Sequence, residues 1–137
     1  MQDILVSLMT WITLQTPYSL PQTTPNLSFN EPSNICSNYG INSRGQCEAA
    51  KLVAFYNTRR TIYLPLSFQL QKIQDRAKLL HELVHYVQWT NNEHKRTCLG
   101  KLEAEAYRLQ DKWLISQSKQ PASDPFKLIM LEASCDD

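Results

Sequence analysis

The stretch RAKLLHELVHYVQW carries two histidines, His81 and His85, with Glu82 directly after the first. On an α-helix, side chains four apart leave the same face one turn apart, so imidazoles at this spacing can reach one Zn²⁺ at about 2.0–2.1 Å each. Glu82 is rotated from His81 by about 100° in a helix of 3.6 residues per turn. It falls outside the shared coordination sphere but within reach of a water on the metal. Amide hydrolysis needs that division of labour. The metal acidifies water and polarises the scissile carbonyl, while the carboxylate takes a proton and returns it to the leaving nitrogen. Two histidines on a helix flank can also be ordinary surface residues. These two are set among Leu79, Leu80, Leu83, Val84 and Val87, the stripe of a mostly buried helix. Buried imidazoles without partners carry a desolvation penalty, and a metal supplies the partner.

A catalytic zinc takes three protein ligands and keeps a fourth position open. The third histidine, His94, lies in the polar stretch NNEHKRTCLG. The metzincin pattern H-E-x-x-H-x-x-G-x-x-H is excluded, because its glycine position is Gln88 and its last histidine position is Asn91. An acid from the next helix is the other solution, and KLEAEAYRLQ offers Glu103 and Glu105. Leu102, Ala106, Leu109 and Trp113 define the buried side of that helix. Glu103 borders Ala106 and Tyr107, and the small Ala106 lets the two helices close together. Glu105 falls with Leu109 and can also turn inward. Facing direction favours Glu103 over Glu105 as the ligand; the other glutamate is expected to be solvated.

These helices need a frame. MQDILVSLMTWITLQT places Ile4, Leu5, Leu8, Trp11 and Ile12, with Val6 and Met9 beside them, on one helical stripe. Asp3 stands where a signal peptide needs positive charge, and no small-residue cleavage site follows, so an amphipathic helix of the fold is expected. A Pro/Thr/Asn-rich connection follows, with one short strand near Asn26–Asn30. KLVAFYNTRRTIYLPLSF reads as two strands, Leu52 to Tyr56 and Thr61 to Leu64, around a polar turn, with Pro65 ending an edge strand. Asp75 is placed to cap the motif helix. PFKLIMLEA, after Pro121 and Pro125, reads as a short last helix.

The chain has 137 residues and a formal net charge of +1, a size for one domain whose core can form without a crosslink. No Lys/Arg run is present to grip nucleic acid or an anionic membrane, and no apolar stretch reaches the roughly 20 residues of a membrane span. Cys36, Cys47, Cys98 and Cys135 form no C-x-x-C pair, which argues against a zinc knuckle or redox dithiol. An even count fits two disulfides and an exported protein, periplasmic or secreted, whose signal has been removed; four buried free thiols in a cytosolic protein are the alternative. Spacing does not choose among the three pairings.

LLHELVHYVQ followed by EAEAY resembles the gluzincins, the thermolysin-type clan of zinc metallopeptidases, and small exported bacterial proteins of minimal-gluzincin type. Members with an E-x-x-A-[DN] second motif, such as prenyl-protease-like peptidases, use its first glutamate as third ligand. Laid on this chain, that glutamate is Glu103, with Ala106 at the small position. Tyr107 replaces the usual Asp or Asn that supports a ligand histidine. The hairpin AFYNTRRTIYLPLSF resembles the strand pair preceding the motif helix in such folds, where an edge strand lines the cleft and pairs with an extended substrate; Thr61 to Leu64 would be that strand. The resemblance covers about residues 52 to 117. Thermolysin-like enzymes also carry a second subdomain whose His and Tyr stabilise the oxyanion, and too few residues follow Glu103 for one. Tyr86, Tyr107, Arg108 and His94 are the electrophiles left to choose from. Trp89 and Trp113 read as core.

The expectation is therefore one α+β, zincin-like domain with its helices packed on a small antiparallel sheet or hairpin. Residues 1–50 form the N-terminal helix and irregular segment, 51–118 the metallopeptidase-like core and 119–137 a tail with its helix. One Zn²⁺ held by His81, His85 and Glu103 (Glu105 as alternative), with Glu82 as general base, would hydrolyse an extended peptide. Tyr107 and Tyr86 are the candidates for supporting a ligand or the oxyanion. A catalytically silent zincin-like binding module with structural or residual zinc is the competing reading, and an amidase on cell-wall or other non-peptide amides a third.

Overall fold

The computed structural model describes residues 1–30, 54–56 and 60–135. In chain order these form α1 (Gln2–Gln15), β1 (Asn26–Asn30), β2 (Ala54–Tyr56), β3 (Thr61–Pro65), α2 (Ile73–Thr90), a 3-10 turn (Glu93–Lys95), α3 (Leu99–Ser116) and α4 (Pro125–Ala133). The class is α+β.

Helix α1 buries Leu5, Leu8, Met9 and Ile12 and leaves Val6 on the outside. Spacings of three and four residues produce that single stripe, and it packs onto α2. Helix α2 carries the motif pentad and buries Ala77, Leu79, Leu80, Leu83, Val84, Tyr86 and Val87. One hydrophobic cluster joins these to Ile62 and Leu64 of β3 and to Ala106, Leu109, Trp113 and Leu114 of α3. Trp113 is core, as its spacing implies, whereas Trp89 is only partly buried against that cluster.

The sheet corrects two expectations. Its strand order is β1-β3-β2, with β3 antiparallel to β2 but parallel to β1, so it is mixed rather than antiparallel. The hairpin partner was recognisable from the sequence; the parallel partner, Asn26 to Asn30 paired with Thr61 to Pro65, comes from a distant segment. Strand β3 is therefore central, and Thr61 to Leu64 is not a free edge for an extended substrate. Its successive buried residues Ile62, Tyr63 and Leu64 are what a strand covered on both faces looks like. Pro65 closes the strand at its last pair, opposite Asn30, where no further ladder donor is required.

Helix α2 begins earlier than Asp75 implies. Its N-cap is Lys72, and Asp75 sits in the first turn, where its carboxylate accepts the backbone N–H of Gln69 at 2.9 Å and faces the positive end of the helix dipole. Helix α3 starts at Cys98, which forms a disulfide with Cys135 beyond α4, with Cα atoms 5.8 Å apart. Gly100 permits that junction, because a Cβ there would run into the Leu131 carbonyl oxygen and Ser134 Oγ. Asp124 caps α4 by accepting from Phe126 N at 3.0 Å, with Pro125 at the first helical position. Cys36 and Cys47 lie outside the described residues, as do residues 52–53 of the expected first strand.

Candidate metal centre

Among the described elements, helices α2 and α3 form the most extensive contact, and the candidate site lies in it. Buried Ala106, in the same core cluster as the apolar residues of α2, keeps α3 close to α2. On α3, Glu103, Tyr107 and Gln110 follow one another at helical spacings of four and three, and all three meet His81. The His81 Nε2 lies 3.3 Å from Glu103 Oε1, its Nδ1 lies 3.0 Å from Gln110 Oε1, and its ring centroid is 4.5 Å from that of Tyr107. The Nε2 of His85 also meets Glu103 Oε1. The two imidazole centroids are 5.0 Å apart.

Ligand atoms of His81, His85 and Glu103 thus fall within 4.8 Å of one another, a set that could hold one metal ion. Adjacent ligands of a tetrahedral ion with bonds near 2.1 Å stand about 3.4 Å apart, close to the His81–Glu103 separation. Both histidines are largely enclosed while Glu103 keeps 30% of its side chain exposed, so the group opens on one side.

The histidines are held from behind by two glutamines that motif spacing did not single out. Gln88, only 1% exposed, donates from its amide nitrogen to the Leu102 carbonyl at 3.0 Å and to Glu105 Oε1 at 2.9 Å. With that nitrogen committed to acceptors, the amide oxygen faces His85 Nδ1 at 2.8 Å. An Nδ1 that must donate carries the proton, and its ring then presents Nε2 as a lone pair. Gln110 Oε1 does the same for His81. A sequence signal existed for Gln88: it lies four residues after Val84 on the inward face of α2, where a polar side chain needs a buried partner.

The two glutamates of α3 divide, but the second is not the solvated residue expected: Glu105 is half-buried and hydrogen-bonded. Glu103 faces both imidazoles. Glu105 accepts from Gln88 and from the Tyr18 hydroxyl, at 2.5 Å, which ties the segment after α1 to α3. Burial and the Glu105 carboxylate together push the Tyr18 hydroxyl far above its usual range. For the metal-free group, burial would raise the Glu103 carboxyl, but hydrogen bonds and charge from His81 and His85 hold it well below the usual carboxylate range. Burial likewise opposes charge on His85, yet the Glu103 hydrogen bond and the negative charges of Glu82 and Glu103 raise it above its ordinary value.

Glu82 sits half-buried on α2 beside the histidines, close enough for its charge to act on His85. Tyr107 lays its ring against His81 while its hydroxyl accepts from Lys127 Nζ at 3.4 Å, so Gln110 is the hydrogen-bonding partner of that histidine. The Tyr86 hydroxyl donates to the Thr23 carbonyl at 2.8 Å. Arg108 pairs with Glu132 of α4, and His94 stacks on Trp89, away from the ligand group.

Among the described residues, no helix is long and apolar enough to cross a membrane. No curated protein and no solved structure matches the chain. A family model does: the one described as "Domain of unknown function (DUF6647)" matches residues 1–137, and the chain belongs to that family.

Proposed function

We propose that this protein is a zinc-dependent peptidase of gluzincin type. The observation that carries the reading is the convergence of His81, His85 and Glu103 with both histidine Nδ1 atoms tied to glutamine oxygens. Two neutral imidazoles and one carboxylate suit Zn²⁺, and three protein ligands leave a coordination position open. When bound there, Zn²⁺ polarises a carbonyl and acidifies water. The protein's own contribution is to keep both Nε2 lone pairs aimed inward, to balance charge with Glu103, and to move protons through Glu82. Glu82 accepts the proton of the attacking water and delivers it to the leaving nitrogen. Export to an oxidising compartment fits the Cys98–Cys135 disulfide.

The experiment is Glu82→Gln. The variant is expected to hold one zinc per chain and to lose hydrolysis of a mixed peptide library by about 10²–10⁴-fold. A variant that cleaves as fast as wild type removes Glu82 from the mechanism. A silent binding module is the second reading, favoured by the hydroxyls of Tyr86 and Tyr107, which are engaged with Thr23 and Lys127. Zinc-loaded wild type that cleaves neither peptides nor cell-wall amides would support it.

A further inference from the structure

Beyond the ligand group, α2 ends in a cleft of about 680 Å³ formed with the Ser19 to Thr23 segment and the 3-10 turn. Its size is that of an ordinary small-ligand site. Trp89 is part of its lining. The Arg60 guanidinium packs over the Trp89 ring at 5.2 Å from the centroid, and the His94 ring stacks on the same indole at 6.4 Å and 27°. Lys95 completes the lining, which contains no carboxylate among the described residues. Among the described residues, neither Arg60 nor Lys95 has an ion-pair partner, and His94 Nδ1 is buried without a hydrogen-bond partner.

Arg60 adds a separate signal. Its φ is +50°, the left-handed region that glycine or asparagine fills at least strain. The Arg60 carbonyl accepts from Asn26 N at 2.9 Å, which joins the turn to the start of β1. An arginine kept in that conformation costs backbone strain, and what it gains is a guanidinium laid on Trp89 at the cleft. Stacking uses the guanidinium face and leaves its N–H edge for a planar oxyanion.

We propose that this cleft binds a carboxylate, supplied by an acidic residue of an extended peptide. Arg60 and Lys95 provide the charge, His94 Nδ1 a buried polar contact, and Trp89 the platform that holds Arg60. The peptide part rests on the peptidase reading; the anion site does not. Trp89 follows Glu82 by seven residues on the same flank of α2, about 10 Å along a helix rising 1.5 Å per residue. An extended chain covers that distance in about three residues. The acidic residue recognised is therefore the one about three positions from the scissile bond.

Binding is measured on the Glu82→Gln protein, so that hydrolysis does not enter the readout. The probes are a blocked hexapeptide with one glutamate, the same peptide with glutamine, and inorganic phosphate. Affinity comes from tryptophan fluorescence, and the Trp89 indole N–H resonance reports the location. The glutamate peptide is expected to bind at least tenfold tighter than the glutamine peptide and to shift that resonance. Arg60→Gly should abolish the preference while keeping the fold, since glycine suits a positive φ. Lys95→Glu, at an exposed position, should reverse it. Equal affinity for the two peptides, or a preference that survives both variants, overturns the proposal. Phosphate binding tighter than the glutamate peptide also overturns it, assigning the cleft to a phosphate group instead. Failure here leaves the metal chemistry to its own test, and an inactive enzyme with this preference intact refutes only the peptidase reading.

Discussion

The most informative single change away from the ligands is Gln88→Leu. It keeps side-chain volume nearly constant in a position that is 1% exposed, so packing is little disturbed. It removes hydrogen bonds to His85 Nδ1 at 2.8 Å, the Leu102 carbonyl at 3.0 Å and Glu105 Oε1 at 2.9 Å. Two are neutral, about 1 kcal/mol each, and the one to the carboxylate contributes about 1.5–3 kcal/mol. Glu105 keeps its bond from Tyr18, and the leucine regains some apolar burial. The expected net loss is about 3 kcal/mol, a midpoint shift on the order of 1–2 M in urea for a domain of this size. Unfolding is followed by circular dichroism on chelator-treated protein. Zinc affinity, measured by chelator competition, should fall about 10–100-fold because His85 is no longer held in one tautomer and orientation. A folded Gln88→Leu protein with wild-type zinc affinity would refute the assignment of Gln88 as the positioning residue for His85, whatever its stability.

Three further outcomes test the arrangement. Glu103→Ala is expected to abolish stoichiometric zinc on metal analysis, whereas Glu105→Ala retains the ion with weakened affinity; the opposite pattern would exchange the two roles. In metal-free protein, His85 is raised above 6.5, so its stabilising charge is fully present below that value and is lost as pH rises through its folded pKa. Glu103 is lowered from 4.5, so its contribution is present above that value and fades only in stronger acid. Urea midpoints of the chelated protein should therefore fall, as pH rises above 6.5, more than those of Glu103→Gln, and equal slopes would show that the ion pair is not formed. Finally, Cys98→Ser with Cys135→Ser opens a loop of sequence separation 37, which chain entropy sets at about 4 kcal/mol, read as a lower thermal midpoint.

The candidate metal ligands were the easiest to read, because ligand geometry imposes a spacing. His81 and His85 had to be four apart on one helix, and Glu103 was selected over Glu105 by its neighbours Ala106 and Tyr107. The elements that repeat a local pattern were equally open: α1, α3, α4 and the short strand β1 all follow from periodicity, proline placement and capping. What escaped was non-local or cooperative. The pairing of β1 with β3 joins two segments 35 positions apart in the chain, and no local feature of Asn26 to Asn30 announces a parallel partner. That pairing moved β3 from the edge to the centre, and with it went the substrate groove assigned to Thr61 to Leu64. Gln110 was missed because one glutamine on a polar helix flank resembles any other until the facing imidazole is known.

The two glutamates of α3 show how so small a chain can hold a site still. A metal group set between only two helices would be free to spread as the helices slide. Here Glu103 engages the histidines, and Glu105, two residues on, is drawn toward the opposite flank by Gln88 and Tyr18. Tyr18 belongs to the segment that leaves α1, and α1 is packed on α2. The chain of bonds from Tyr18 through Glu105 and Gln88 to His85 therefore crosses three elements and closes on a candidate ligand. Each buried polar group in it satisfies the next, so displacing any one leaves another without its partner. A site built this way derives rigidity from its N-terminal segment, for which the sequence shows no chemistry of its own. That explains why residues outside the recognisable metal motifs belong to the same folded unit as the residues within them.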